Sequence, residues 1–481
     1  MVDTKIKTGI FWKALERFGV QGVQFILQIV LARILDPAHY GVLSLMIIFV
    51  TLANVFIQSG FNTSLIQNKD VTEEDYSSVF WVTLIIAVTL YVLLFLGAPV
   101  IADFYDMPEI VVPFRVLALM LFPGAINSVQ LAKVNRDMDF KKVFLSNIGA
   151  IVISGAAGII IAVMGGGLWA LVIQTLLNVV VACMVMRFTV SWKIRFVCNF
   201  QRIKVLFAFG WKLLISRLMD TFYQDLRSLV IGKKYNESTL GYYNRGKQFP
   251  QFIITAVDST VQSVMLPALS KEQDDTITVK TITRQSMIAS SYILFPIMAG
   301  LAAVATPLIS LLLTDKWLPA VPYMQIYCFS LAFRPVHTCN LQAINAMGRS
   351  DVFLKLEILK KIYGIALLVI AVVFFDSPIA IAVTGIFSTI ISCFVNASPN
   401  KKLIGYSYFE QMKDVLPSLL AASVMFLAVW FVGNLSISLI PLLFIQVTLG
   451  VVIYIALSVL FSLNGYKFFL AFAKSLLKNK N

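Results

Sequence analysis

Apolar residues run along this chain in stretches of about 20, the length that crosses a bilayer as one helix, and short polar or Gly/Pro-bearing breaks separate them. Read by hydropathy, the pattern predicts fourteen helices, at 10–35, 40–66, 77–101, 110–134, 143–164, 167–187, 205–231, 240–268, 285–313, 319–347, 353–375, 378–396, 412–433 and 437–463. The breaks fall at Asp36-Pro37, the acidic run 68–75, Asp106-Met107-Pro108, the triplet Gly165-Gly166-Gly167 and Asp376-Ser377-Pro378. Proline fixes φ and lacks an N–H, glycine frees φ, and Asp and Ser cap, so each is a natural helix end. The expected fold is an all-α polytopic membrane protein.

Composition sharpens that reading. Of 481 residues, 59% are hydrophobic and only 13% charged, and the mean hydropathy is +0.84. Soluble domains carry roughly 45–50% apolar and about 25% charged residues, so the soluble enzyme classes are excluded. The five cysteines (Cys183, Cys198, Cys328, Cys339, Cys393) show neither CxxC nor metal-like spacing and read as small packing residues. The N-terminal segment lacks the h-region and small-residue cleavage site of a signal peptide, so the first helix is expected to remain in the mature protein.

The net charge of +14 has to be sorted by side before it speaks of partners. Most of the 39 basic residues fall in the N-terminus, the even-numbered connections and the C-terminal tail, whereas Lys233, Lys234 and Lys316 alone fall in odd-numbered connections. The positive-inside rule then places both termini in the cytoplasm, and the excess reads as an orientation signal. Nucleic acid is not an expected partner.

A repeat underlies the helix pattern. Trp12-Lys13 recurs as Trp211-Lys212, and Arg17, Gln24 and Gly41 correspond to Arg217, Gln224 and Gly241. Further on, Pro123, Gln130 and Asp139 correspond to Pro335, Gln342 and Asp351. Residues 1–190 thus form one six-helix lobe and 191–397 a second, and 398–481 hold helices 13 and 14 and a basic cytoplasmic tail. Six is even, so both copies enter the membrane from the same side and an axis along the membrane normal relates them, with a site expected between them.

Ten basic residues remain within or at the edges of helices: Lys13, Arg17, Arg33, Arg115, Lys212, Arg217, Arg227, Arg245, Lys247 and Arg334. An arginine facing lipid at midplane costs at least ~2.5–3.5 kcal/mol, so such groups face protein or a wet cavity. Lys13, Arg17, Gln21, Gln24 and Gln28 fall within roughly 80° of arc at 100° per residue, a polar stripe on helix 1. Arg217, Asp220, Gln224 and Arg227 do the same on helix 7. Helix 8 carries Gln248, Gln251, Thr255, Asp258 and Gln262, and Thr51 and Gln58 of helix 2 occupy the repeat positions of Gln251 and Asp258.

Helices 1, 2, 7 and 8 are therefore expected to line a water-filled, positively charged central cavity, to which helix 10 adds Arg334 and His337. Amide side chains suit sugars, and the planar donor fork of arginine suits phosphate or carboxylate. The competing reading is that pairs such as Arg217 with Asp220, or Lys13 with Glu16, only lock helices together. No cofactor is expected. If transport is coupled to protons or sodium, Asp220, Asp225 and Asp258 are the candidate carboxylates, with a counter-ion role as the alternative. Pro250, Pro296 and Pro335 are expected to interrupt helices 8, 9 and 10.

Two segments carry a resemblance. Leu31-Ala-Arg-Ile-Leu-Asp-Pro-Ala-His-Tyr-Gly41, Gly60-Phe-Asn-Thr-Ser-Leu-Ile-Gln67 and the acidic turn before Phe80-Trp81 resemble the opening of bacterial polysaccharide exporters. Phe209-Gly-Trp-Lys-Leu-Leu-Ile-Ser-Arg217, Ile231-Gly-Lys233, Gly241-Tyr-Tyr-Asn-Arg245 and Met265-Leu-Pro-Ala-Leu-Ser270 resemble the start of their second half. Over its whole length the chain is similar to the colanic-acid-type, Wzx-like flippases for lipopolysaccharide and exopolysaccharide, within the multidrug/oligosaccharidyl-lipid/polysaccharide (MOP) exporter superfamily.

The resemblance implies twelve core helices plus two, alternating access in the bacterial inner membrane, and export of an undecaprenyl-diphosphate-linked oligosaccharide, with a polysaccharide polymerase as a candidate partner and membrane lipids around it. It also implies that Arg17 and Arg217 engage the diphosphate, and that helices 13 and 14 form a lipid-tail groove. No enzymatic activity is expected. The alternatives are a multidrug exporter of the same superfamily, which fits a cationic cavity badly, and a membrane glycosyltransferase or polymer ligase, which would need a sizeable outer loop.

Overall fold

The computed structural model describes residues 12, 15–58, 61–67, 70–192 and 194–478, and among them there is no strand. A π-helical turn, Glu16–Val20, leads into α1 (Gln21–Ile34). There follow α2 (Pro37–Gln58), α3 (Phe61–Gln67), α4 (Glu73–Tyr105), α5 (Pro108–Asp137), α6 (Phe140–Val163), α7 (Leu168–Thr189) and α8 (Phe200–Lys234). The chain continues through α9 (Glu237–Lys271), α10 (Thr276–Ala303), α11 (Ala305–Leu313), α12 (Val321–Ala332), α13 (Arg334–Ala346) and α14 (Ser350–Phe374). It ends with α15 (Pro378–Leu403), α16 (Tyr408–Val432), α17 (Leu439–Leu460) and α18 (Asn464–Lys478).

Among the described residues, ten helices are long and apolar enough to cross a membrane: α2, α4 to α7, α9, α10 and α15 to α17. The other expected spans are helical but fall short for physical reasons. α1 has 14 residues, and α8 carries six charges between Lys204 and Arg227. α14 opens on Asp351, Lys355, Glu357, Lys360 and Lys361, and the tenth expected helix is split into α12 and α13 at Phe333.

The expected breaks are where the chain leaves helical geometry. Pro37 and Pro378 stand at helix starts, where the missing N–H costs nothing. Asp106 closes α4 in the left-handed region at φ 58°, and Gly165 and Gly167, at φ 81° and 50°, make the α6–α7 turn. One expectation is corrected. α9 runs unbroken past Pro250 and α10 past Pro296, and only Pro335 sits at an interruption. The first two prolines each remove one ladder hydrogen bond, and their neighbours keep the helix continuous.

The described chain forms two compact units, Met1–Gly241 and Tyr242–Asn481. In the first, α6 and α7 pack through small residues: a Cβ on Gly158 would lie 2.8 Å from Cβ of Gln174, and Ser146 Oγ donates to the Ala182 carbonyl at 2.8 Å. α8 packs on α2, α3 and α4, with Ser64 Oγ donating to the Leu206 carbonyl at 2.9 Å. The packing boundary therefore falls one helix later than the start of the second sequence copy.

In the second unit α10 packs along α16, fastened by a buried polar network. The Arg284 guanidinium forks onto Asp414 at 2.7 and 2.5 Å, and Tyr406 Oη donates to the same carboxylate at 2.8 Å. Beside it Asn340, Asn400 and Gln411, all fully buried, exchange side-chain hydrogen bonds of 2.6 to 2.9 Å. Four helices are tied by groups that leave few polar atoms unsatisfied, which favours one packing over its alternatives.

Candidate functional site

The stripe residues of the first unit lie on α1 and α8. Lys13 and the side chain of Arg17 fall outside the described residues. Gln21, Gln24 and Gln28 are half-buried and follow one another at spacings of three and four, so they share a face of α1. On α8, Arg217 and Gln224 are exposed, and Asp220, Asp225 and Arg227 are half-buried. Among the described residues no hydrogen bond or ion pair is made by the Arg217 guanidinium, so the Arg217–Asp220 lock weighed from the sequence is not formed.

At the α1–α2 and α8–α9 turns the two sequence copies meet within the first unit. A Cβ on Gly41 would lie 1.8 Å from the Glu237 carbonyl oxygen, and one on Gly241 would lie 2.1 Å from the Pro37 carbonyl oxygen. Pro37 and Glu237 are themselves equivalent positions of the repeat, so the contact is reciprocal, as a two-fold relation requires. Near it Lys233 Nζ donates to Asp106 Oδ2 at 2.8 Å.

In the second unit, α9 and α13 bring together two residues singled out separately. Asp258 is buried, and Arg334 Nε donates to its Oδ2 at 3.2 Å while Gln262 Nε2 donates to the same oxygen at 2.9 Å. Thr338, which the sequence did not mark, donates to Oδ1. Asp258 is thus fully engaged, whereas about half of the Arg334 side chain stays exposed. A guanidinium held at Nε by a buried carboxylate presents its two outer nitrogens in a fixed plane, a suitable fork for an anion. Gln251, exposed two turns before Asp258, donates to Thr255 Oγ1 at 3.3 Å. His337 turns instead toward Asn396, 3.2 Å from its Nδ1, in the packed contact between α13 and α15.

The sequence also missed three fastenings. The Asp75–Arg202 pair has N···O distances of 2.9 and 2.7 Å, Asp414 pairs with Arg284, and the last helix, α18, packs on α10. The first could have been suspected from the capping box Thr72-x-x-Asp75.

The helical architecture gathers charged residues on a few helices of an apolar chain. It is similar to the solved structure of the lipid II flippase MurJ in an inward closed conformation, with a TM-score of 0.72 at 14% identity over 94% of this chain and 98% of that one. An inward-facing multidrug resistance MATE family transporter of the MOP superfamily gives 0.62 at 16% identity, over 81% and 98%.

The family follows from the sequence match: the profile described as polysaccharide biosynthesis protein covers residues 30–322, more than half of the chain, and the chain belongs to that family. Similar curated proteins include the teichuronic acid biosynthesis protein TuaB of Bacillus subtilis, 24% identical over 73% of both chains. The lipopolysaccharide biosynthesis protein WzxC of Escherichia coli is 23% identical over 93% of this chain and 88% of its own. The succinoglycan biosynthesis transport protein ExoT of Rhizobium meliloti is 23% identical over 87% and 83%.

Proposed function

We propose that the protein is an inner-membrane flippase that carries a lipid-linked oligosaccharide repeat unit across the membrane for surface polysaccharide synthesis. The observation that carries this reading is an arginine–glutamine stripe recurring at equivalent positions of two sequence copies, in a chain of the polysaccharide biosynthesis family. The stripes of α1, α2, α8 and α9 face a common cationic cavity. Sugars meet Gln21, Gln24, Gln28, Gln224 and Gln251. The diphosphate meets Lys13, Arg17, Arg217, Arg227 and Arg334, and the prenyl tail stays in lipid.

Both termini lie in the cytoplasm, and the bodies that rock are the sequence copies 1–190 and 191–397, with 398–481 attached. In this topology the reciprocal Gly41–Gly241 contact is at the outer end and acts as the closed outer gate, with the Lys233–Asp106 pair beside it. Asp258 serves as the positioning counter-ion of Arg334, and Asp220 and Asp225 are the carboxylates that couple transport to an ion gradient. A gene deletion tests the reading: lipid-linked repeat units should accumulate on the cytoplasmic leaflet while polymer disappears. Undiminished polymer would sink it.

A further inference from the structure

At one end of the first unit, Glu73, Arg187, Val190, Ser191, Trp192 and Arg195 line an open cavity of about 350 Å³. The segment that forms its rim is rigidly held. Ser77 Oγ accepts from the Arg195 amide at 3.2 Å, Trp81 Nε1 donates to the Arg195 carbonyl at 2.9 Å, and Ser78 Oγ accepts from the Asn199 amide at 3.0 Å. Arg187 Nη1 donates to the Trp192 carbonyl at 3.0 Å, which fixes the other wall.

Charge is unbalanced here. Glu73, the cavity's one carboxylate, is taken by Lys133, and Asp75 close by is taken by Arg202. Among the described residues neither Arg187 nor Arg195 has a carboxylate partner, although both are exposed. Trp192 is 2% exposed, and its indole N–H has no acceptor among the described residues, an unusual state for a buried donor.

The surroundings are apolar in the way of a membrane interface. Phe188, Phe196 and Phe200 are 88%, 90% and 77% exposed, and Phe196 stacks on Trp81 with ring centroids 5.1 Å apart. Aromatic rings gather at the headgroup level of bilayers, and cationic side chains there attract anionic lipid.

We propose that this cavity is a binding site for the phosphodiester headgroup of a resident anionic phospholipid, held by Arg187 and Arg195 with its acyl chains along Phe188, Phe196 and Phe200. The site is distinct from the cargo stripes, and only the leaflet it faces, the cytoplasmic one, rests on the topology proposed above.

Photolabelling tests it on the full-length protein in detergent, using phosphatidylglycerol with a photoreactive group near the glycerol end of one acyl chain. The wild type should be labelled within 187–200. Labelling should fall about tenfold in the Arg187→Gln/Arg195→Gln double variant, recover in the Lys/Lys double variant, and stay unchanged in Arg217→Gln. Arg195→Gln alone, which removes no internal contact, should fall in the same direction and covers a misfolded double variant. Equal labelling of wild type and Gln variants would overturn the proposal. So would equal competition by phosphatidylcholine, or protection by inorganic phosphate alone, which would make this a free-anion site.

Discussion

Gly41 and Gly241 stand back to back: the Cβ that either lacks would fall about 2 Å from the backbone oxygen of Glu237 or Pro37, the repeat partners one turn away. Neither oxygen belongs to a flexible side chain that can swing aside. Gly41→Ala and Gly241→Ala therefore wedge the two helix starts apart, and overpacking of this kind costs about 1–3 kcal/mol. We expect the folded protein to be retained, with its population shifted about tenfold or more away from this conformation. A single cysteine placed on the α8 stripe should become more reactive toward an impermeant thiol reagent added from outside. Unchanged reactivity in both variants would remove the gate role.

Asp258 and Arg334 allow a structural role to be separated from a cargo role. Asp258→Asn leaves Arg334 without its counter-ion and should lower stability by about 1–2 kcal/mol, below the ~3–5 kcal/mol of fully buried pairs because Arg334 is half exposed. Adding Arg334→Gln should restore the unfolding midpoint in detergent but not polymer production. Recovery of both would reduce the pair to a helix lock.

The Arg284–Asp414–Tyr406 cluster is structural on this account. Asp414→Asn loses a forked ion pair and weakens the acceptor of a fully buried hydroxyl, at a cost of about 2–4 kcal/mol. The unfolding midpoint should drop clearly, and any protein that reaches the membrane should transport normally. A midpoint within error of wild type would show that the network contributes little.

At the start of α10 the Asp275 carboxylate accepts from the Thr278 hydroxyl and from the amides of Thr278 and Ile277, which holds its pKa below the ordinary value. A depressed pKa means that the cap stabilises above the unfolded-state pKa and is lost as pH falls through the folded-state value. Amide exchange at Ile277 and Thr278 should therefore accelerate, relative to the intrinsic rate, below about pH 4. Asp275→Asn should flatten that dependence, and identical profiles would contradict the capping role.

The sequence made the helix pattern legible where turn chemistry coincides with a polar break in an apolar chain: Pro37 and Pro378 open helices, and Asp106 and Gly165 follow helix ends. The repeat was legible because Trp, Arg and Gln are rare in such helices. Pairing was not. Asp258 and Arg334 are 76 residues apart on helices whose rotation no local pattern fixes, and Thr338 looks like any other membrane-helix threonine. Pro250 and Pro296 misled because proline predicts a lost hydrogen bond, not whether neighbouring turns absorb it. The packing of α8 on α2, α3 and α4 is a tertiary choice that symmetry in sequence leaves open.

The central claim is that the recurring arginine stripe carries an anionic, lipid-linked oligosaccharide. Vesicles containing the purified protein and a fluorescent lipid-linked oligosaccharide, with a membrane-impermeant quencher outside, report movement between leaflets. Wild-type protein should equilibrate the lipid, and Arg17→Ala/Arg217→Ala should slow it at least about tenfold, the loss expected when one good charge-assisted contact is removed. Equilibration by the double variant at the wild-type rate, with both proteins equally folded and inserted, would contradict the account.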